Sequence, residues 1–130
     1  MKKTIFITLC LFIPSMLAGA FFEFFHARSE TGNVRIEWKT GEERDVTSFI
    51  IERKSPNSSF LPIATVQPKG NNSFYSYLDE NAYKPNDMIF IYRIKIVTSD
   101  NNFSLSKEIA VSHSVSGIKR TWGSIKAMFR

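Results

Sequence analysis

Val34-Arg35-Ile36-Glu37-Trp38-Lys39-Thr40 alternates apolar and polar residues without a break. A period of two puts Val34, Ile36 and Trp38 on one face of an extended strand and Arg35, Glu37 and Lys39 in water; no helical period fits the run. Phe90 to Val97 repeats the pattern. Phe90, Tyr92, Ile94 and Ile96 share one face, and Ile91, Arg93, Lys95 and Val97 share the other. The apolar ends of that second face suit a central strand covered in part on both sides.

Working outward, Ser48 to Lys54 alternates Phe49 and Ile51 against Ile50 and Glu52. Phe60 to Val66 is shorter and holds Pro62, which cannot donate to a ladder, so it is expected at an edge. Phe74 to Asp79 carries Tyr75 and Tyr77 on one face, Phe103 to Val111 closes the set, and Phe21 to Arg28 opens it. Polar turns separate them: Glu30-Thr31-Gly32-Asn33, Ser55 to Ser59, Lys69-Gly70-Asn71-Asn72, Lys84-Pro85-Asn86-Asp87 and Ser99 to Asn102. Seven short strands with turns about every eight to twelve residues predict an all-β sandwich.

The first twenty residues do not belong to that pattern. Lys2 and Lys3 precede an apolar run from Ile5 to Leu17, and Ala18-Gly19-Ala20 is an A-x-A cleavage site. Residues 1–20 are therefore expected to be a signal peptide, the mature chain to start at Phe21, and the protein to be exported: periplasmic, cell-surface or extracellular. Cys10 lies inside the apolar run and leaves with it, so the mature chain has no disulfide or thiolate metal site. The 110 remaining residues are enough for one domain with a modest core.

The formal charge is +5, but residues 21–116 hold 11 Lys/Arg against 12 Asp/Glu. The excess sits in Lys2 and Lys3 and in Lys119, Arg120, Lys126 and Arg130. A neutral body argues against nucleic-acid binding, which needs a basic body or groove.

The ordered strand motifs resemble the fibronectin type III-like modules of secreted bacterial surface proteins. The resemblance runs through Phe25-x-Ala27, Val34-x-Ile36-x-Trp38-x-Thr40 with Glu43, Phe49-x-Ile51-Glu52-Arg53-x-Ser55, then Phe60, Ile63 and Val66. It continues through Tyr75-x-Tyr77-x-Asp79, Ile91-Tyr92-Arg93-Ile94-Lys95, and Asp100, Phe103 and Ser104. Asp100-Asn101-Asn102 replaces the usual Asp-Gly turn, and Phe90 stands where many such modules have a corner tyrosine. The resemblance implies a seven-stranded immunoglobulin/fibronectin type III-like sandwich over residues 21–115, with a structural or binding role.

Groups that carry chemistry are sparse. His26 and His113 lie near opposite ends of the mature chain, with no second histidine or carboxylate at ligand spacing. Glu42, Glu43 and Asp45, beside Arg44, read as a calcium loop, a catalytic carboxylate pair or a solvated turn in which Glu43 caps backbone amides. Asp79, Glu80 and Asp100 read as turn acids. No G-x-S-x-G and no phosphate-binding glycine loop is present. The expectation is no enzyme, no cofactor and no metal. The 18 aromatics fall mostly at core-facing positions. Phe21, Phe22 and Phe24 either start the first strand or present an apolar patch.

The last segment, residues 116–130, changes period. Ile118, Trp122, Ile125 and Phe129 stack on one helical face, flanked by Lys119, Lys126 and Arg130, and Ser116 stands at a cap position. This predicts a short basic amphipathic helix that lies on an anionic surface or in a partner's groove, or else frays or folds back on the domain. Ile118, Lys119, Trp122, Ile125, Lys126, Phe129 and Arg130 are the candidate contact residues. The expected function is a non-catalytic binding or structural module of the bacterial cell envelope, contacting a protein partner through loops, edge strand or tail. The alternatives are a peripheral membrane or secretion-sorting protein acting through the tail on an anionic membrane, and a carbohydrate-binding module.

Overall fold

A computed structural model of the chain describes residues 19–82 and 88–113. The expected signal peptide, up to Ala18, and the tail, with its seven candidate contact residues, lie outside the described residues. The described elements are β1 (Gly19–Glu30), β2 (Asn33–Arg44), β3 (Val46–Lys54), β4 (Leu61–Val66), β5 (Phe74–Asp79), a 3-10 turn at Glu80–Ala82, β6 (Met88–Thr98), β7 (Phe103–Leu105) and β8 (Ile109–His113). Every pairing is antiparallel. Sheet I has the order β1-β2-β5; sheet II has the order β4-β3-β6, with β7 and β8 both along the far edge of β6. The protein is an all-β, two-sheet sandwich.

The alternation read from the sequence becomes the core. Val34, Ile36 and Trp38 of sheet I face Phe49, Ile51, Tyr92 and Ile94 of sheet II, all without solvent exposure. Trp38 stacks on Tyr75 with centroids 5.0 Å apart and planes 5° apart. Phe49 meets both rings edge-on from the opposite sheet, at 6.0 and 5.1 Å. Offset stacking and edge contacts are the arrangements ring quadrupoles favour. The indole Nε1 of Trp38 is buried without a hydrogen-bond partner among the described residues.

Turn geometry connects the strands. Thr31 (φ 45°) and Gly32 (φ 82°) both lie in the left-handed region, forming the two-residue primed turn whose twist matches a hairpin. Asp45 (φ 54°) alone carries the chain from sheet I to sheet II, and its carbonyl accepts from Ser99 N at 2.9 Å.

Three expectations change in detail. The closing strand Phe103 to Val111 is two segments, so the described strands number eight. The cause is Ser106: its N donates to Ile94 O (2.8 Å), but its hydroxyl, in place of a carbonyl, takes Ile94 N–H (2.7 Å). Glu42, Glu43 and Arg44 belong to β2, and only Asp45 turns. β1 starts at Gly19, paired with Arg44, two residues before the expected mature start. Its register shifts either side of Phe22 then separate three aromatics. Phe22 turns inward onto Phe25 and Phe49, while Phe21 is exposed and Phe24 lies on the outer face.

Candidate functional site

Two polar clusters take up most of the acids singled out above. Asp79 ends β5 on the same face as Tyr75 and Tyr77 and is 1% exposed. One of its oxygens accepts from Arg53 Nη1 (2.6 Å) and Tyr92 OH (2.8 Å), and the other from Asn81 N (3.2 Å). Arg53 and Tyr92 come from sheet II, so the cluster ties the two sheets. Burial first, then the Asp79 carboxylate, pushes the Tyr92 phenol far above its ordinary range. Phe90 supplies no hydroxyl at the corner; Tyr92, two residues on, carries the clamp to Asp79.

Glu43 organises the other cluster. Its Oε1 accepts from Thr40 Oγ1 (2.8 Å) and from Tyr75 OH, and its Oε2 accepts from Gly70 N (3.0 Å). The Tyr75 oxygen in turn accepts from Lys69 N (2.7 Å), and Asn71 Oδ1 accepts from Glu43 N (2.7 Å). The loop from Lys69 to Ser73 is thereby fastened to β2. Burial, then the bond to Glu43, raises the Tyr75 phenol to about 12. Glu42 pairs with Arg44. The calcium-loop reading finds no converging set: among the described residues no three His, Cys, Asp or Glu side chains are gathered to hold a metal ion. Asp100 is a turn acid, held below its ordinary range by hydrogen bonds from Thr98 Oγ1 and Asn102. His26 is exposed on β1, stacked on Phe24 at 5.0 Å. His113 is the last residue of β8.

The outer face of sheet II has a different make-up. It carries the cations Lys54, Arg93 and Lys95 against one acid, Glu52. Ser58 N donates to Ser55 O (3.1 Å) and Ser55 N to Ser58 Oγ (2.9 Å), closing the turn that delivers Phe60 onto this face. The Arg93 guanidinium lies 3.8 Å from the Phe60 ring centroid and donates from Nε to Glu52 Oε1 (2.9 Å). Lys54 Nζ lies 5.1 Å from the same ring. Along the same strand, Lys95 Nζ sits 4.2 Å from the ring of Phe103, which is 58% exposed. Leu105, opposite Lys95, is exposed too. Cations held over rings keep their charge outward while their stems cover apolar surface.

Sequence reasoning missed both the Asp79 tie and this face. The first was visible: Asp79 is four residues after Tyr75, so a period of two points it inward. The second had no local signal, because Phe60, Arg93 and Phe103 meet only through sheet register.

No protein-family profile matches the chain, and no curated protein matches it. Among solved structures, the chain is similar to the β-1,2-glucanase from Parabacteroides distasonis, at 18% identity and a TM-score of 0.52. The likeness covers 75% of this chain and 13% of that one, so this chain corresponds to a small part of the larger protein. At that identity the likeness is one of fold.

Proposed function

We propose that the chain is an exported, fibronectin type III-like module of the bacterial cell envelope that acts by binding, without catalysis, and that the outer face of sheet II is its contact surface. The family reading is supported by the ordered motifs and by sheets of three strands and, counting β7 and β8 as one broken edge strand, four. Export rests on the basic start, the apolar run and the A-x-A site. The non-catalytic reading is supported by the two strongest acid candidates, Asp79 and Glu43, both engaged in cross-ties of the fold.

The observation that carries the binding role is the pair of cation-on-ring stacks, Arg93 on Phe60 and Lys95 on Phe103, on a solvent-facing sheet. Three cations against one acid, interleaved with exposed Phe103 and Leu105, complement an acidic partner surface with apolar anchors. The test is capture from the organism's own envelope fraction by immobilised mature protein. A Lys95→Glu/Phe103→Ser variant should lose the captured partner; equal capture by this variant would sink the assignment of the face.

The second reading is a peripheral membrane role through the tail, favoured by the uniform positive charge and 3.6-residue period of Ile118 to Arg130. Truncation after Ser116 should abolish salt-sensitive cosedimentation with anionic liposomes if that reading holds. The β-1,2-glucanase likeness brings the carbohydrate-binding alternative no substrate. A glycan array without hits would remove it.

A further inference from the structure

Among the described residues β5 has an unpaired edge, and it is unlike the other edges of the sandwich. β4 contains Pro62 and a register shift against β3. β7 and β8 are interrupted at Ser106, and β8 lies against β1. β1 carries two register shifts. These are the usual ways of blunting an edge. β5 has no proline, interruption or register shift: Phe74-Tyr75-Ser76-Tyr77-Leu78-Asp79 pairs β2 residue for residue, and what covers its open side among the described residues is the Lys69 side chain on Phe74 O.

Its open backbone groups can be assigned. Thr40 N donates to Ser73 O (2.9 Å), so alternation turns the N–H and C=O of Tyr75 and Tyr77 toward β2 and those of Phe74, Ser76 and Leu78 toward the open side. The Lys69 ammonium donates to Phe74 O from that side, as this assignment requires.

We propose that this edge pairs with the same edge of a second copy, antiparallel about a two-fold axis at Ser76. Ser76 then faces Ser76 of the second copy, and Phe74 faces its Leu78. The side chains at these positions lie on the outer face of sheet I, where Phe74 is 46% exposed and already 6.1 Å from Phe24. Each Phe74 thus gains an apolar cross-strand neighbour. Charge complements the register. Lys69 is exposed beside the Phe74 end, and Glu80 is exposed just beyond the Leu78 end. On antiparallel pairing the Lys69 ammonium of each copy leaves Phe74 O, which then accepts from Leu78 N of the other copy, and moves to Glu80 of the other, whereas a parallel arrangement would place like beside like. The edge strand itself has no charge before the buried Asp79. The product is a six-stranded sheet in the order β1-β2-β5-β5-β2-β1, closed by its two-fold axis. It leaves the outer face of sheet II free for the contact proposed above.

Sedimentation velocity of the exported protein across a concentration series tests this. Wild type should show a monomer–dimer equilibrium. Ser76→Pro removes one outward N–H and should leave only monomer. Lys69→Glu and Glu80→Lys should each weaken the dimer by about tenfold, since each converts two attractive pairs into repulsive ones. The double variant should restore wild-type association. Rescue by the double variant stands even if Ser76→Pro fails to fold. A wild type that is monomeric at every concentration would overturn the proposal, as would a dimer indifferent to both charge reversals. Capture by the outer face of sheet II is read separately, so either result can fail alone.

Discussion

Strand β6 has two chemistries on its two faces. Inward, Phe90, Tyr92, Ile94 and Ile96 are buried, and the one polar atom among them, the Tyr92 hydroxyl, is bonded to Asp79. Outward, Arg93 and Lys95 stand over Phe60 and Phe103, and Arg93 donates to Glu52 on the same face. The same alternation produced both faces, but the energetics differ. Inner contacts are shielded from water, where lost packing or a lost hydrogen bond is not replaced by solvent. The outer Lys95–Phe103 stack exchanges with water and contributes little to folding, whereas Arg93 also holds the buried Glu52 carboxylate. Substitutions should therefore separate the faces, with inner ones changing stability and outer ones changing recognition.

The largest effect is expected at Trp38, whose ring stacks on Tyr75 and meets Phe49 across the sheets. Trp38→Ala should cost about 3–5 kcal/mol in denaturant unfolding, a large share of a small domain's stability. Trp38→Phe should cost clearly less, because it keeps an aromatic ring against Tyr75 and Phe49 while losing an indole N–H that has no partner among the described residues. A Trp38→Ala variant melting within a few degrees of wild type would break the comparison at its centre.

Asp79 comes next. Asp79→Ala removes the acceptor shared by Arg53 and Tyr92 and leaves the buried phenol unpaired. The expected cost is about 3 kcal/mol, below that of a fully buried ion pair because Arg53 is half-buried and still reaches water. Tyr92→Phe should recover part of the loss in the Asp79→Ala background. Additive single and double variants would show that the two groups do not act as a tie.

A smaller effect distinguishes the Glu43 cluster through pH. The Tyr75 phenol is raised from near 10 to about 12, first by burial and then by Glu43. A raised acid favours the folded state while it is protonated. Its contribution is complete below about pH 10 and is lost as pH rises from there toward 12. Tyr92, shifted in the same direction, extends the loss upward. Tyr75→Phe should flatten the alkaline fall in melting temperature between pH 10 and 12, and equal slopes for variant and wild type would contradict the assignment.

The core was legible because it depends on period alone. Val34, Ile36 and Trp38 announce their face within seven residues, and Pro62 announces an edge through its missing donor. The splitting of the closing strand was not legible, since it depends on a serine hydroxyl taking a ladder N–H from twelve residues earlier. Phe22 and Phe24 could not be separated either: adjacent register shifts reverse the face of one, and nothing local in Phe21-Phe22-Glu23-Phe24 marks them. The outer face of sheet II is the extreme case. Its three main members come from a loop end, β6 and β7, and only sheet register brings them together.

The smallest stability effect is expected on that outer face. Phe103 is mostly exposed, and its ring contact is the ammonium end of Lys95. Phe103→Ser should leave stability within about 0.5 kcal/mol of wild type, the ordinary range for surface positions. Arg93→Ala should cost more, about 2 kcal/mol, because Glu52, only 8% exposed, loses its partner under Phe60. Recognition should respond in the opposite order of magnitude, with either change removing most envelope-partner capture, as truncating an anchor does at a compact contact patch. Raising salt should weaken the wild-type complex and leave the melting temperature nearly unmoved, since Lys95 and Arg93 act on the partner through screened charge. If Phe103→Ser instead unfolds the domain and spares capture, the face belongs to the fold, and the division between the two sides of β6 fails where it was drawn.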